Sequence, residues 1–142
     1  MRKGESERLR LDASYALMWC FPDRSTPNTD EALRRMEARV DRAVVPWVWQ
    51  LEVGNALGKA AVKGKVSLPR ALEIWEELLF LPIRQVAVGN IPQLMQLAVK
   101  HDLSLYDACY LQVAFVSKLP LATNDQKLRI AAEANGVAIL VP

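Results

Sequence analysis

Five short apolar runs punctuate this chain, each closed by a residue that ends a strand or opens a turn. RLRL (8–11) stops at Asp12, AVV (43–45) at Pro46, QVAV (85–88) at Gly89 and LPLA (119–122) at Thr123, while VAILV (137–141) lies at the end. Between them run longer stretches with helical periodicity, over about 14–20, 29–40, 47–63, 68–80, 91–100, 104–117 and 125–134. Gly64 and Gly136 follow two of these, where a helix C-terminus favours glycine. Strands this short and apolar, alternating with helices, imply an α/β fold in which a parallel sheet is covered by helices on both faces.

Length and composition bound the rest. A chain of 142 residues makes one ordinary domain with a sizeable core. We therefore expect a single domain over 1–142, with residues 1–7 as a disordered tail. A net charge of +2 is too weak to announce nucleic-acid binding by itself, so a partner has to be argued from a site. Cys20 and Cys109 lie far apart, each in an apolar helical context, and read as buried, reduced thiols of a cytoplasmic protein. The charged start MRKGESERLR has no apolar signal core, and no later run approaches the ~20 apolar residues of a membrane span.

Ligands of open α/β sheets bind at the carboxyl ends of the strands, and four acids fall there. Asp12 directly follows the first strand and Asp125 lies just after the fourth. Asp107 begins the helix before the fourth strand. Glu52 lies early in the helix after the second, with Val48, Trp49, Asn55 and Ala56 as its helical neighbours. Each has an ordinary structural reading. Ser104 to Asp107 and Thr123 to Gln126 have capping-box spacing, Asp12 could cap the helix at residue 14, and Asp125 could pair with Arg129.

If the four converge, repulsion decides between the readings. Two carboxylates ~5 Å apart cost about 3 kcal/mol at an effective dielectric of ~20. Several such pairs rival the whole ~5–15 kcal/mol stability of a small domain. A divalent cation removes the conflict. An all-oxygen acidic site favours Mg²⁺ or Mn²⁺ over zinc, for which the chain has one histidine and no clustered thiols. Such an ion suits phosphodiester hydrolysis. The single His101 excludes a two-histidine acid/base mechanism within one chain. A non-catalytic α/β interaction domain stays open as the alternative. A phosphotransfer protein with a nucleophilic aspartate is disfavoured, because Asp12-Ala13-Ser14 has no second acid two positions on.

LDAS (11–14), LEVGNAL (51–57), LSLYDACYL (103–111) and LATND (121–125) resemble the successive motifs of PIN-domain ribonucleases, in particular the VapC-type toxins of toxin–antitoxin pairs. The resemblance implies a three-layer α/β/α fold with strand order 3-2-1-4-5 and Mg²⁺- or Mn²⁺-dependent endonucleolytic cleavage of single-stranded RNA. It also implies homodimerisation and neutralisation by a cognate antitoxin protein. Carried over, Asp12, Glu52, Asp107 and Asp125 would be the catalytic, metal-holding residues, with Ser14, Asn55 and Thr123 orienting carboxylates or water. One departure stands out: the family's first strand is strongly apolar, whereas a central strand RLRL would bury arginine.

Lys59, Lys63 and Lys65 follow Glu52, and Arg34, Arg35, Arg39 and Arg42 form a second basic cluster; such faces are usually solvated surface, but one that flanks the acid site could hold RNA phosphates. Trp47, Trp49 and Trp75 are expected in the core rather than stacking on bases, with a dimer or antitoxin interface as the alternative. Stretches 47–63 and 68–80 carry more large apolar residues than one core-facing stripe requires, which suggests a surface for a partner.

Overall fold

The computed structural model describes residues 7–142. Strands β1 (Glu7–Leu11), β2 (Arg42–Pro46), β3 (Ile83–Val86), β4 (Leu121–Ala122) and β5 (Ile139–Leu140) form one sheet in the order β3-β2-β1-β4-β5, with every pair parallel. Among the described residues seven helices connect them: α1 (Ala13–Cys20), α2 (Pro27–Glu37), α3 (Val48–Val62), α4 (Leu68–Leu79), α5 (Ile91–His101), α6 (Leu105–Ser117) and α7 (Gln126–Ala134). This is the expected three-layer α/β/α arrangement. The tail expected over 1–7 lies outside the described residues, save Glu7, which belongs to β1.

The polar first strand is accommodated by alternation. Leu9 and Leu11 are buried on one face of β1, and Arg10, only 4% exposed, emerges on the other. There its Nε donates to the carbonyl oxygen of Val113 on α6 at 3.2 Å, which satisfies part of a buried guanidinium. The side chain of Arg8 lies outside the described residues.

Several boundaries differ from those the sequence suggests. The third strand lies at 83–86 rather than 85–88, because it is an edge strand whose exposed Arg84 and Gln85 break the apolar signal while pairing with Val44 and Val45. The fourth shrinks to two residues, and Pro120 contributes only its carbonyl, to the Arg10 N–H at 2.7 Å. Helix α2 begins earlier than residue 29, opened by a capping box between Thr26 and Thr29 with Pro27 in the first turn. Gly64 and Gly136 take positive φ after α3 and α7, as expected.

The core gathers Tyr15, Met36, Leu94, Leu111, Leu121 and Leu128 between sheet and helices. Trp49 is buried against Trp75, but Trp47 is half exposed, contrary to its expected core placement, because it precedes the first turn of α3. The surplus of apolar residues in α3 and α4 reaches the surface as Leu51, Val62, Leu68, Leu72, Leu79 and, just beyond α4, Phe80. An unexpected second stripe runs down α5 through Ile91, Met95 and Val99, at four-residue spacing. No helix among the described residues is long and apolar enough to cross a membrane.

Candidate active site

Strand register builds the centre of the site. Leu11 pairs with Ala122, so Asp12 and Thr123 leave adjacent strands side by side, and the Asp12 N–H donates to the Ala122 carbonyl at 2.9 Å. Thr123 Oγ1 then donates to Asp12 Oδ2 at 2.8 Å, and the Ser14 hydroxyl donates to the same oxygen. Ser14 Oγ in turn accepts the Asn124 N–H at 2.9 Å, and Thr123 Oγ1 accepts that of Asp125 at 3.0 Å. Both hydroxyls thus use their donor on one carboxylate and their lone pairs on the loop after β4.

Asp12 occupies the N-cap position of α1, yet its side chain makes no capping bond there. It is 3% exposed. Burial pushes its carboxyl up to about 7, opposed by the hydroxyls of Ser14 and Thr123 and reinforced by the charges of Glu52 and Asp107. The capping reading therefore fails for Asp12, whose carboxylate is held by the Ser14 and Thr123 hydroxyls and lies within the electrostatic reach of Glu52 and Asp107.

The other three acids divide their roles differently. In α6, Ser104 caps the helix by accepting the Asp107 N–H at 3.0 Å, so the Asp107 carboxylate is not needed to cap. Burial and the charge of Asp125 raise its pKa, while Ser104 and Lys127 lower it. Asp125 is itself the N-cap of α7: Oδ1 accepts the Leu128 N–H at 2.9 Å, which leaves Oδ2 outside that bond. This replaces the expected Thr123 to Gln126 box, and Arg129 pairs with Glu133 instead of Asp125.

Glu52, five residues into α3, is partly buried, and its Oε1 has no hydrogen-bond partner among the described residues. Burial raises its pKa, the Tyr110 hydroxyl lowers it, and Asp107 and Asp125 raise it further. Tyr110 is 1% exposed, and its hydroxyl lies near Glu52 without completing a hydrogen bond. Its ionisation is strongly disfavoured by burial and by the neighbouring acids, so it can only serve as a neutral O–H. Sequence reasoning gave Tyr110 no role, although its place three residues after Asp107 puts it on the same face of α6.

All four expected acids are thus electrostatically coupled at the carboxyl end of the sheet, and Ser14 and Thr123 support one of them directly. Asn55 is exposed and bonds none of the acids among the described residues. As the side chains stand, no three His, Cys, Asp or Glu residues among those described are gathered tightly enough to enclose an ion. The donor set still fits a hard cation: it is all oxygen, partly buried and mutually repulsive, and one oxygen, Glu52 Oε1, has no partner. The fit is one of charge and ligand chemistry.

Residues 11–134 match the PIN domain. The fold is similar to that in the crystal structure of PAE2754 from Pyrobaculum aerophilum, with a TM-score of 0.73 over 90% of this chain and 87% of that one, at 23% identity. At that identity the likeness is one of fold. No curated protein matches the chain in sequence.

The raised Asp12 pKa fixes a pH dependence for the metal-free protein. A carboxyl that titrates near 3.8 when unfolded and about 7 when folded contributes stability below the lower value and loses it as pH rises through the upper one. At 1.4 kcal/mol per unit this is about 4 kcal/mol at most. Thermal melting in EDTA should therefore show a lower Tm at pH 8 than at pH 5, with the difference largely removed in Asp12→Asn. A Tm that rises between those pH values would contradict the buried, proton-binding carboxyl.

Proposed function

The chain belongs to the PIN-domain family, whose fold is generally that of nucleases, and on that footing we propose that it is a metal-dependent endoribonuclease for single-stranded RNA. It would act in the cytoplasm as the toxin of a VapC-type toxin–antitoxin pair. The observation that carries the enzymatic reading is the buried Asp12, locked by two hydroxyls yet capping nothing, inside a set of four coupled acids. Structural capping explains part of Asp125 and none of Asp12.

Asp12, Glu52, Asp107 and Asp125 would hold Mg²⁺ or Mn²⁺. A bound ion of this kind lowers the pKa of water and offsets charge developing on phosphoryl oxygens. The protein's own contribution is positional. Ser14 and Thr123 hold Asp12 Oδ2 and leave Oδ1 outside those bonds, the N-cap bond fixes Asp125 with Oδ2 outside it, and the Tyr110 O–H lies ready to orient Glu52. Burial of Asp12 and partial burial of the other three would lessen the screening of an ion held there.

Exposed apolar helix faces support the assembly part of the reading. The Ile91, Met95 and Val99 stripe suits a second copy of the chain, because self-association requires one face to meet itself. An antitoxin segment would find apolar ground on Leu68, Leu72, Leu79 and Phe80, and a mixed cleft of about 430 Å³ in which Trp19, Phe21, Leu33 and Ile74 are joined by charged Glu37, Lys65, Arg70 and Glu77.

Purified protein should cut single-stranded RNA in Mg²⁺ or Mn²⁺ and leave 5′-phosphate and 3′-hydroxyl ends, since attack by water does not use the ribose 2′-hydroxyl. Asp107→Asn should keep the metal-free Tm or raise it while lowering cleavage by about 100-fold or more. Cleavage undiminished in EDTA, or 2′,3′-cyclic ends, would overturn the mechanism. Near-normal cleavage by a destabilised Asp107→Asn would make Asp107 a structural residue. No cleavage under any metal would favour the non-catalytic interaction domain.

Light scattering at micromolar concentration should report twice the 15.9 kDa chain mass, falling towards the monomer when Met95 and Val99 are changed to Glu. A wild-type monomer throughout would refute the dimer.

A further inference from the structure

The cations of this protein are distributed unevenly between paired and unpaired use. Arg34 bonds Glu31, Arg35 bonds Asp41 at 2.7 Å, Arg70 bridges Glu73 and Glu77, and Arg39 donates to the Phe80 carbonyl at 2.9 Å. The second basic cluster is thus largely committed to holding α2 and its surroundings. Lys59, Lys63 and Lys65 have no ion pair among the described residues, and all three are exposed. They line one groove of about 530 Å³ together with Arg24, whose guanidinium stacks 5.0 Å above the Phe21 ring. Against these four cations the groove presents a single acid, Asp23.

The groove is aligned with the acid site by the helix that carries both. At 100° per residue, Glu52, Ala56, Lys59 and Lys63 fall within about 60° of one another around α3, and Ala56, Lys59 and Lys63 all line the groove. One ridge of α3 therefore runs from a site carboxylate into the basic groove. At ~1.5 Å per residue, Lys59 and Lys63 stand ~10 and ~16 Å along the axis from Glu52. With ~3.4 Å per stacked nucleotide, this places their phosphates about three to five nucleotides from the cut.

The geometry points to a phosphate track for single-stranded RNA along α3, in which Lys59, Lys63, Lys65 and Arg24 hold the strand several nucleotides to one side of the acids. This deepens the ribonuclease reading and rests on it. The acids repel a polyanion, so the affinity for substrate comes from this groove rather than from the reacting site. An oligonucleotide too short to reach Lys59 loses that affinity.

Fluorescence anisotropy in EDTA, with labelled oligouridylates of about twelve and about three nucleotides, tests the track without any cleavage. Wild type should bind the longer strand at least tenfold more tightly. In Lys59→Gln/Lys63→Gln its affinity for that strand should fall several-fold, and the slope of log affinity against log salt should shrink by about 0.7 for each lysine removed. Lys59→Arg/Lys63→Arg should keep both, and because all these side chains are exposed, circular dichroism melts should match wild type. Unchanged affinity and slope in the Gln variant, or no binding of the longer strand by wild type at low salt, would overturn the track. Intact, lysine-dependent binding with no cleavage in Mg²⁺ or Mn²⁺ would overturn the nuclease reading and leave the track standing.

Discussion

The hydrogen bond from Thr123 Oγ1 to Asp12 Oδ2 ties together two residues 111 positions apart in sequence, and the rest of the site is arranged around it. It forms because β1 and β4 are adjacent and in a register that releases both residues at the same edge of the sheet. It also holds an acid where burial raises the carboxyl to about 7. A carboxylate there is tolerated only with strong local compensation, which the two hydroxyls supply in part. The remaining repulsion from Glu52 and Asp107 is the unresolved part of the electrostatics, and it is what a cation would relieve.

Much of this was legible in the sequence because the decisive residues sit at punctuation. Asp12 ends an apolar run, and Thr123 and Asp125 follow another. Parallel strands place such positions on one edge whatever the details of packing. Less legible was what depends on tertiary pairing. Arg10 looked misplaced in a central strand until Val113 of α6 supplied a carbonyl for it. Edge strand β3 was shifted by two residues because pairing, not apolarity, defines it. Asp12 and Asp125 both sit at N-cap positions, but only the structure separates the one that caps from the one that does not. Tyr110 carried no expectation; its hydroxyl near Glu52 is a matter of orientation that spacing does not reveal.

The surface is organised by the same α3 that carries Glu52. One ridge continues into the lysine groove, and Leu51 and Val62 are exposed on the adjacent side of the helix, Val62 beside Lys59 and Lys63. The exposed apolar faces fit protein partners, and the basic groove fits a polyanionic substrate, as the proposed function requires.

If Asp12, Glu52, Asp107 and Asp125 hold a divalent cation, as proposed, Mn²⁺ titration followed by calorimetry will detect it. Wild type should bind Mn²⁺, and Asn or Gln at each of the four positions should weaken binding by about 10- to 100-fold. Wild-type affinity retained in Asp12→Asn and Asp107→Asn, or no binding by wild type at millimolar Mn²⁺, would contradict the proposal.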